Sequence, residues 1–222
     1  MVVLAPDQAQ IKKEIETYSD AVRTNKIACS AAFCLKCGEP SEHFKRHEAR
    51  PRKFRIIIDQ LVLIVLCLVI RWKCSRCGKT FTQQPPFAFP HKRFTLPTLQ
   101  HYCEAYLSDP AMTYRGLFCP NFVGYAETDQ QLAHSSVHRW FTTFGQMAYT
   151  LSRAQDLILQ KNPDSTVCRD AAGLTIPARK YRSTARKTIL ERCLRLFFVN
   201  DVFLKTFGRP IFPISATRSS FT

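Results

Sequence analysis

Apolar positions along the first third of the chain change period twice. Ile11, Ile15 and Tyr18 recur at i, i+4 and i+7 among lysines and glutamates, which predicts a short amphipathic helix within residues 1–28. Ile56 to Ile70 is then apolar apart from Asp59 and Gln60, and reads as a hairpin with strands at 53–58 and 61–72 and its bend at Asp59-Gln60. The run Leu61 to Ile70 does not alternate with polar residues, as a strand buried on both faces would not. An isolated hairpin would leave one apolar face bare, so cover is expected from the N-terminal helix, from later helices or from a second subunit. A membrane-spanning helix needs about 20 apolar residues, whereas this run counts 15 from Ile56 to Ile70 even with Asp59 and Gln60 included. A membrane is therefore not the expected partner.

Pro85, Pro86, Pro90 and Pro97 exclude a continuous helix after the hairpin and predict an extended connection with a domain boundary near 90. Beyond it, Leu99, Tyr102, Cys103, Tyr106 and Leu107 form one helical face, with Thr95 as N-cap, Pro97 in the first turn and Ser108-Asp109-Pro110 as the stop. A shorter helix is expected from Thr113, turning Tyr114, Leu117 and Phe118 inward until Cys119-Pro120. Residues 119–134 read as irregular. A third helix, capped by Ser135 and closed by Gly145, buries Val137, Trp140, Phe141 and Phe144 and leaves Ser136, His138, Arg139, Thr142 and Thr143 outward. Met147 to Gln160 continues a helical pattern through Leu151, Ala154 and Ile158. The segment 179–195 sets Arg179, Lys180, Arg182, Arg186, Lys187, Arg192 and Arg195 against Glu191 alone, with Ile189, Leu190, Cys193, Leu194 and Phe197 packed inward. Pro210 to Thr222 reads as a frayed coil.

Cysteine spacing supplies the chemistry. Cys34-Leu35-Lys36-Cys37-Gly38 and Cys74-Ser75-Arg76-Cys77-Gly78 bracket the hairpin, the outline of a zinc ribbon with one structural Zn²⁺ held by Cys34, Cys37, Cys74 and Cys77. Two residues between cysteines let a tight turn present both thiolates to one ion, and the following glycine is free to take positive φ. The alternatives are thiols acting as a redox pair, or replacement of a ligand by Cys29, His43 or His47. Cys67, Cys103, Cys119, Cys168 and Cys193 read as buried thiols. The N-terminus has no basic n-region followed by an apolar h-region, so ten cysteines are expected in a reducing cytoplasm, or at the nucleoid of a bacterium, and not in disulfides.

The balance of 32 Lys and Arg against 17 Asp and Glu, a formal +15, exceeds what solubility requires and points to a polyanion, with nucleic acid ahead of an anionic membrane surface. The expected phosphate contacts are Arg50, Arg52 and Lys53 with Arg179, Lys180, Arg182, Arg186 and Lys187. Ser135, Ser136, His138, Arg139 and Thr142 are the side chains a reading helix would send into a major groove.

The order of the two knuckles, with Arg71-Trp72-Lys73 before Cys74 and Lys79-Thr80-Phe81 after Gly78, then Ser136-Val137-His138-Arg139-Trp140, resembles the N-terminal region of bacterial insertion-sequence transposases and their small DNA-binding relatives. The resemblance covers roughly residues 30–145. It implies a zinc ribbon followed by a helix-turn-helix that binds double-stranded DNA. Members that are enzymes carry a further domain whose three carboxylates hold two Mg²⁺ ions. Here Asp156, Asp164, Asp170, Glu191 and Asp201 are scattered, and none is assigned a catalytic role. The expected fold is α+β, with an N-terminal helical segment at 1–28, a zinc ribbon at 29–90, a helix-turn-helix region at 91–146 and a basic helical segment at 147–222. The rival readings are a transposase whose catalytic part is divergent or supplied in trans, a homodimer or protein partner engaged through the apolar 61–70 run, and an RNA binder stacking bases on Phe44, Phe81 and Phe87.

Overall fold

The computed structural model describes residues 8–89, 92–118, 123–208 and 210–212. It divides into two compact units, Pro6–Pro97 and Thr98–Thr222.

The first unit is built on a long antiparallel hairpin, β1 (Phe44–Ile58) and β2 (Leu61–Cys74), paired from Phe44↔Cys74 to Ile58↔Leu61. The bend lies where the sequence puts it. Asp59 and Gln60 have φ of 46° and 65°, both in the left-handed region that a two-residue hairpin turn requires if it is to match the twist of its strands. β1 is longer than the apolar pattern indicates, because its first ten residues are mostly basic and carry no apolar run to mark a strand. A bulge between Arg46 and Glu48 leaves His47 without a partner and shifts the alternation of β1 relative to β2. β3 (Thr80–Thr82) then pairs with Arg71 to Lys73.

The expected cover is the N-terminal helix. In α1 (Gln8–Arg23), Ile11 and Ile15 pack with Phe54, Ile56, Cys67, Val69, Phe87 and Ala88, whereas Val22 packs with Phe44, Ile70, Trp72 and Cys74. Cys67 and Val69 project from one face of β2, and Ile70, Trp72 and Cys74 from the other, so α1 crosses the outer edge of the strand. At the crossing the Leu68 N–H donates to Ser19 Oγ at 3.2 Å. One helix thus covers parts of both apolar faces and satisfies an edge donor. On the opposite edge, Arg55 N–H donates to Arg93 O and Thr95 N–H to Arg55 O. The connection after the hairpin therefore belongs to the first unit, which extends to Pro97, beyond the boundary expected near 90. The apolar run is a strand, and among the described residues no helix is long and apolar enough to cross a membrane.

The second unit holds α2 (Leu96–Ser108, which opens at the boundary), a small hairpin of β4 (Gly124–Tyr125) and β5 (Thr128–Gln131), and α3 (Ser135–Gly145). It continues through α4 (Ala148–Lys161), α5 (Val167–Ala172) and α6 (Thr184–Phe207). α3, α4 and α5 all pack on α6. Several expectations are corrected here. No helix starts at Thr113; the segment is a set of turns in which Leu117 N–H reaches Thr113 O and Phe118 N–H reaches Arg115 O. Residues 124–131 pair as a hairpin, while 119–122, with Cys119 and Pro120, lie outside the described residues. Ser135 opens α3 without capping it, the capping position falling to His134, whose side chain makes no capping bond.

α6 starts later than the basic segment 179–195 and runs twelve residues beyond its end, to Phe207. Ser183 Oγ accepts Arg186 N–H at its start, and Gly208, at φ 68°, closes it with its N–H on Leu204 O. The end of the chain is not all frayed. Ile211 and Phe212 are buried, Ile211 N–H donating to Asn200 Oδ1 at 2.9 Å; residues 213–222 lie outside the described residues.

Candidate metal centre

Each Cys-x-x-Cys-Gly segment folds as a tight knuckle, and the two are built alike. Cys34 N–H donates to Glu39 O and Gly38 N–H to Cys34 O; in the second knuckle Cys74 N–H donates to Lys79 O and Gly78 N–H to Cys74 O. Gly38 and Gly78 sit at φ 72° and 70°, left-handed positions where a side chain would be strained. Residues flanking each knuckle pair across its base, Phe33 with Pro40 and Lys73 with Thr80. Pairing of Phe44 with Cys74 in the hairpin brings the knuckles face to face.

The four sulfur atoms lie within 4.8 Å of one another, with Cys34 Sγ to Cys77 Sγ and Cys37 Sγ to Cys74 Sγ both 3.6 Å. A tetrahedron with metal–sulfur bonds of about 2.3 Å has edges of about 3.8 Å, so this arrangement can hold one metal ion. It is not a pair of disulfides, whose sulfurs are about 2.05 Å apart. Backbone N–H groups point at the thiols, as they would at thiolates. The Lys36 N–H, with that of Cys37, lowers the Cys34 pKa; the Glu39 N–H is directed at Cys37, whose pKa is nonetheless raised by burial and by the neighbouring sulfurs of Cys77, Cys74 and Cys34. A thiolate set of this shape fits Zn²⁺, which has no ligand-field preference against a tetrahedron.

Around the ligands the chain is tied by polar groups. Glu39 takes His43 Nδ1 on one oxygen and Arg76 on the other at 3.2 Å, the latter joining the two knuckles, and both partners hold its carboxyl below the usual range. Ser75 N–H and Oγ both donate to His43 O. Glu39, Glu42, His43, Lys45, Ser75 and Arg76 line a shallow groove beside the site. Gln83 clamps the approach to the first knuckle: its Oε1 accepts from Trp72 Nε1 and Ser30 N–H, and its Nε2 donates to Ala28 O. None of Cys29, His43 and His47 belongs to the sulfur cluster. Cys29 packs at the edge of the core beneath it, and His47 is the bulge residue of β1. Of the remaining thiols, Cys67, Cys103 and Cys193 are buried as expected, whereas Cys168 is exposed on α5 because the apolar side of that short helix is Val167 and Ala171.

The expected nucleic-acid contacts are unequally placed. On α3, Val137, Trp140, Phe141 and Phe144 are buried, His138 and Arg139 are exposed, and Ser135, Ser136 and Thr142 are half-buried, Thr142 Oγ1 donating back to His138 O. Arg50, Lys53, Arg179 and Arg182 are exposed. Three cations are instead committed to the fold. Lys180 is buried, its ammonium donating to Tyr106 O and Met112 O at 2.7 Å each and lying 3.7 Å from the Tyr106 ring centroid; burial lowers its pKa to about 8. Arg186 lies against the Tyr114 and Phe141 rings and donates to Tyr114 Oη. Arg52 spans from Gln84 to Lys92 O and stacks on Phe54. Lys187 lies 3.8 Å from Glu191. Two of the rings expected to stack bases, Phe44 and Phe87, are buried in the core of the first unit.

The pattern of a helix, a tight turn and a reading helix is not what precedes α3, because the β4–β5 hairpin stands there. The tight connection comes after it, where Gln146 and Met147 join α3 to α4. Comparison with known proteins adds no family to this description: no family model matches the chain, and no curated protein and no solved structure matches it either.

Proposed function

We propose that this chain is a zinc-stabilised protein of transposase type that binds duplex DNA, with the four-cysteine ribbon as scaffold and α3 as the reading helix. The observation that carries the proposal is α3 itself. Its apolar stripe is fully sequestered while His138 and Arg139 stand exposed. A helix that reads a major groove is anchored in this way and offers small polar and basic side chains outward. The excess of 15 positive charges supports a polyanionic partner. Exposed Arg50, Lys53, Arg179 and Arg182 are available for phosphates, which fix register without reading sequence.

The test is binding of zinc-loaded full-length protein to random duplex and single-stranded DNA across a salt series, with metal content measured on the same sample. Duplex preference, a steep salt slope, one zinc per chain and at least tenfold weaker binding on Arg139→Ala are the expected results. Absence of duplex binding at low salt with full metal occupancy overturns the proposal. The surviving reading would then be a protein-interaction module, favoured by Leu61 and Leu66, which the apolar strand leaves exposed.

A further inference from the structure

The end of the ribbon nearest the metal site has two unlike faces. Residues paired across neighbouring strands project from the same face, so the register sorts the side chains. Phe44, Trp72 and Phe81 share one face; Phe44 and Trp72 are buried beneath Val22, and Phe81 packs edge-on to Phe44. The opposite face takes Lys45 and Arg50 from β1, Arg71 and Lys73 from β2, and Thr80 and Thr82 from β3. The bulge at His47 makes this possible. It restores Glu48 and Arg50 to the side of Lys45, where strict alternation would have sent them to the other face.

Charge on this face is left uncompensated. Lys45 and Lys73 are directly opposite each other, both exposed, and neither makes an ion pair among the described residues. Like charges at facing positions oppose sheet formation. The one carboxylate on the face, Glu48, is shared by Arg50 at 2.8 Å and Arg71 at 3.1 Å, and their guanidinium groups hold its pKa below the usual range. Arg71 is held in position by a 2.7 Å bond to Thr80 Oγ1. Four cations thus stand on one three-stranded surface against one carboxylate. Alternate residues along a strand are about 6.6 Å apart and adjacent strands about 4.8 Å, a grid of cations on the scale of successive phosphates.

We propose that this face is a phosphodiester-backbone contact, with Lys45, Lys73, Arg50 and Arg71 lying on the phosphates of a DNA duplex and the threonine hydroxyls available as further donors. The assignment rests on the reading of the chain as a duplex binder and adds where on the ribbon the backbone sits. Lys45 and Lys73 belong to two basic stretches 28 positions apart, and only the register brings them together.

The experiment compares the salt dependence of duplex binding for full-length zinc-loaded wild type, a Lys45→Gln/Lys73→Gln variant and a Lys12→Gln/Lys13→Gln variant, which removes the same charge from exposed positions of α1. Metal content and circular dichroism establish that all three are folded. Each phosphate contact contributes about 0.9 to the slope of log K against log salt, so the ribbon variant should lose about 1.8 from the slope and the α1 variant nothing. Wild-type binding with an unchanged slope in the ribbon variant, or an equal loss in the α1 variant, overturns this assignment and leaves duplex binding intact. No duplex binding by wild type overturns both.

Discussion

Cys34 Sγ and Cys77 Sγ, 43 positions apart in the chain and from different knuckles, face each other at 3.6 Å. Four thiolates at that separation repel one another unless a cation sits among them, and in small metal-stabilised domains much of the folding free energy is metal binding, about 10–16 kcal/mol for zinc-finger peptides at neutral pH. Chelation, or Cys77→Ser, should therefore unfold the Pro6–Pro97 unit. Hydrogen exchange at β1 and β2 amides should rise by orders of magnitude, while α6 stays protected. Retained protection in the ribbon after the metal is stripped would refute a structural role for it.

Ser19→Ala tests the helix that crosses the strand edge. It leaves the Leu68 N–H, now bonded to Ser19 Oγ at 3.2 Å, without its partner. A partly buried donor left unsatisfied costs about 1–3 kcal/mol. Urea denaturation should show a lower midpoint with an unchanged m-value; an unchanged midpoint would mean that water replaces the hydroxyl at no cost.

Gly145 is set by packing. A Cβ there would lie 2.8 Å from Ile189 Cγ2 and 2.9 Å from Ile189 O, so α3 and α6 approach as closely as a bare backbone permits. Gly145→Ala should destabilise the helical unit by about 1–3 kcal/mol through overpacking, against an intrinsic helix gain of up to about 1 kcal/mol. Adding Ile189→Ala should recover only part of the loss, since the carbonyl oxygen remains. A thermal midpoint at or above wild type would show that the helices separate freely.

Glu104 gives the helical unit a pH dependence. Burial raises its pKa to about 7 from an ordinary 4.5, with Asp201 adding to the rise, despite the 2.7 Å bond from Gln100. The folded state therefore holds this proton more tightly than the unfolded chain. Its stabilising contribution is complete below about pH 4.5 and is lost as pH rises through about 7. Glu104→Gln should leave stability at pH 5 nearly unchanged and raise it at pH 8, on the order of 1 kcal/mol after allowance for partial exposure. An equal effect at both pH values would assign the change to packing instead of charge.

The sequence by itself determined features that depend on neighbours within a few residues. The two Cys-x-x-Cys-Gly knuckles, the Asp59-Gln60 bend, the buried stripes of α2 and α3 and the N-terminal helix with Ile11 and Ile15 inward are all local periodicities or turn chemistries. Tertiary structure alone decided what depends on strand register and on contacts far apart in the chain. Lys180, Arg186 and Arg52 look like phosphate ligands in a basic sequence, yet carbonyls and rings dozens of residues away claim them. Lys45 and Lys73 stand far apart in the chain and become neighbours only through β1–β2 pairing, and the bulge at His47 brings Glu48 and Arg50 to their face. The same long-range logic folds 124–131 as a hairpin where short polar segments predict a loop, and buries Ile211 and Phe212 near the end of the chain. A side chain's type and spacing fix what it can do; which partner reaches it first is settled by the packing of the whole unit.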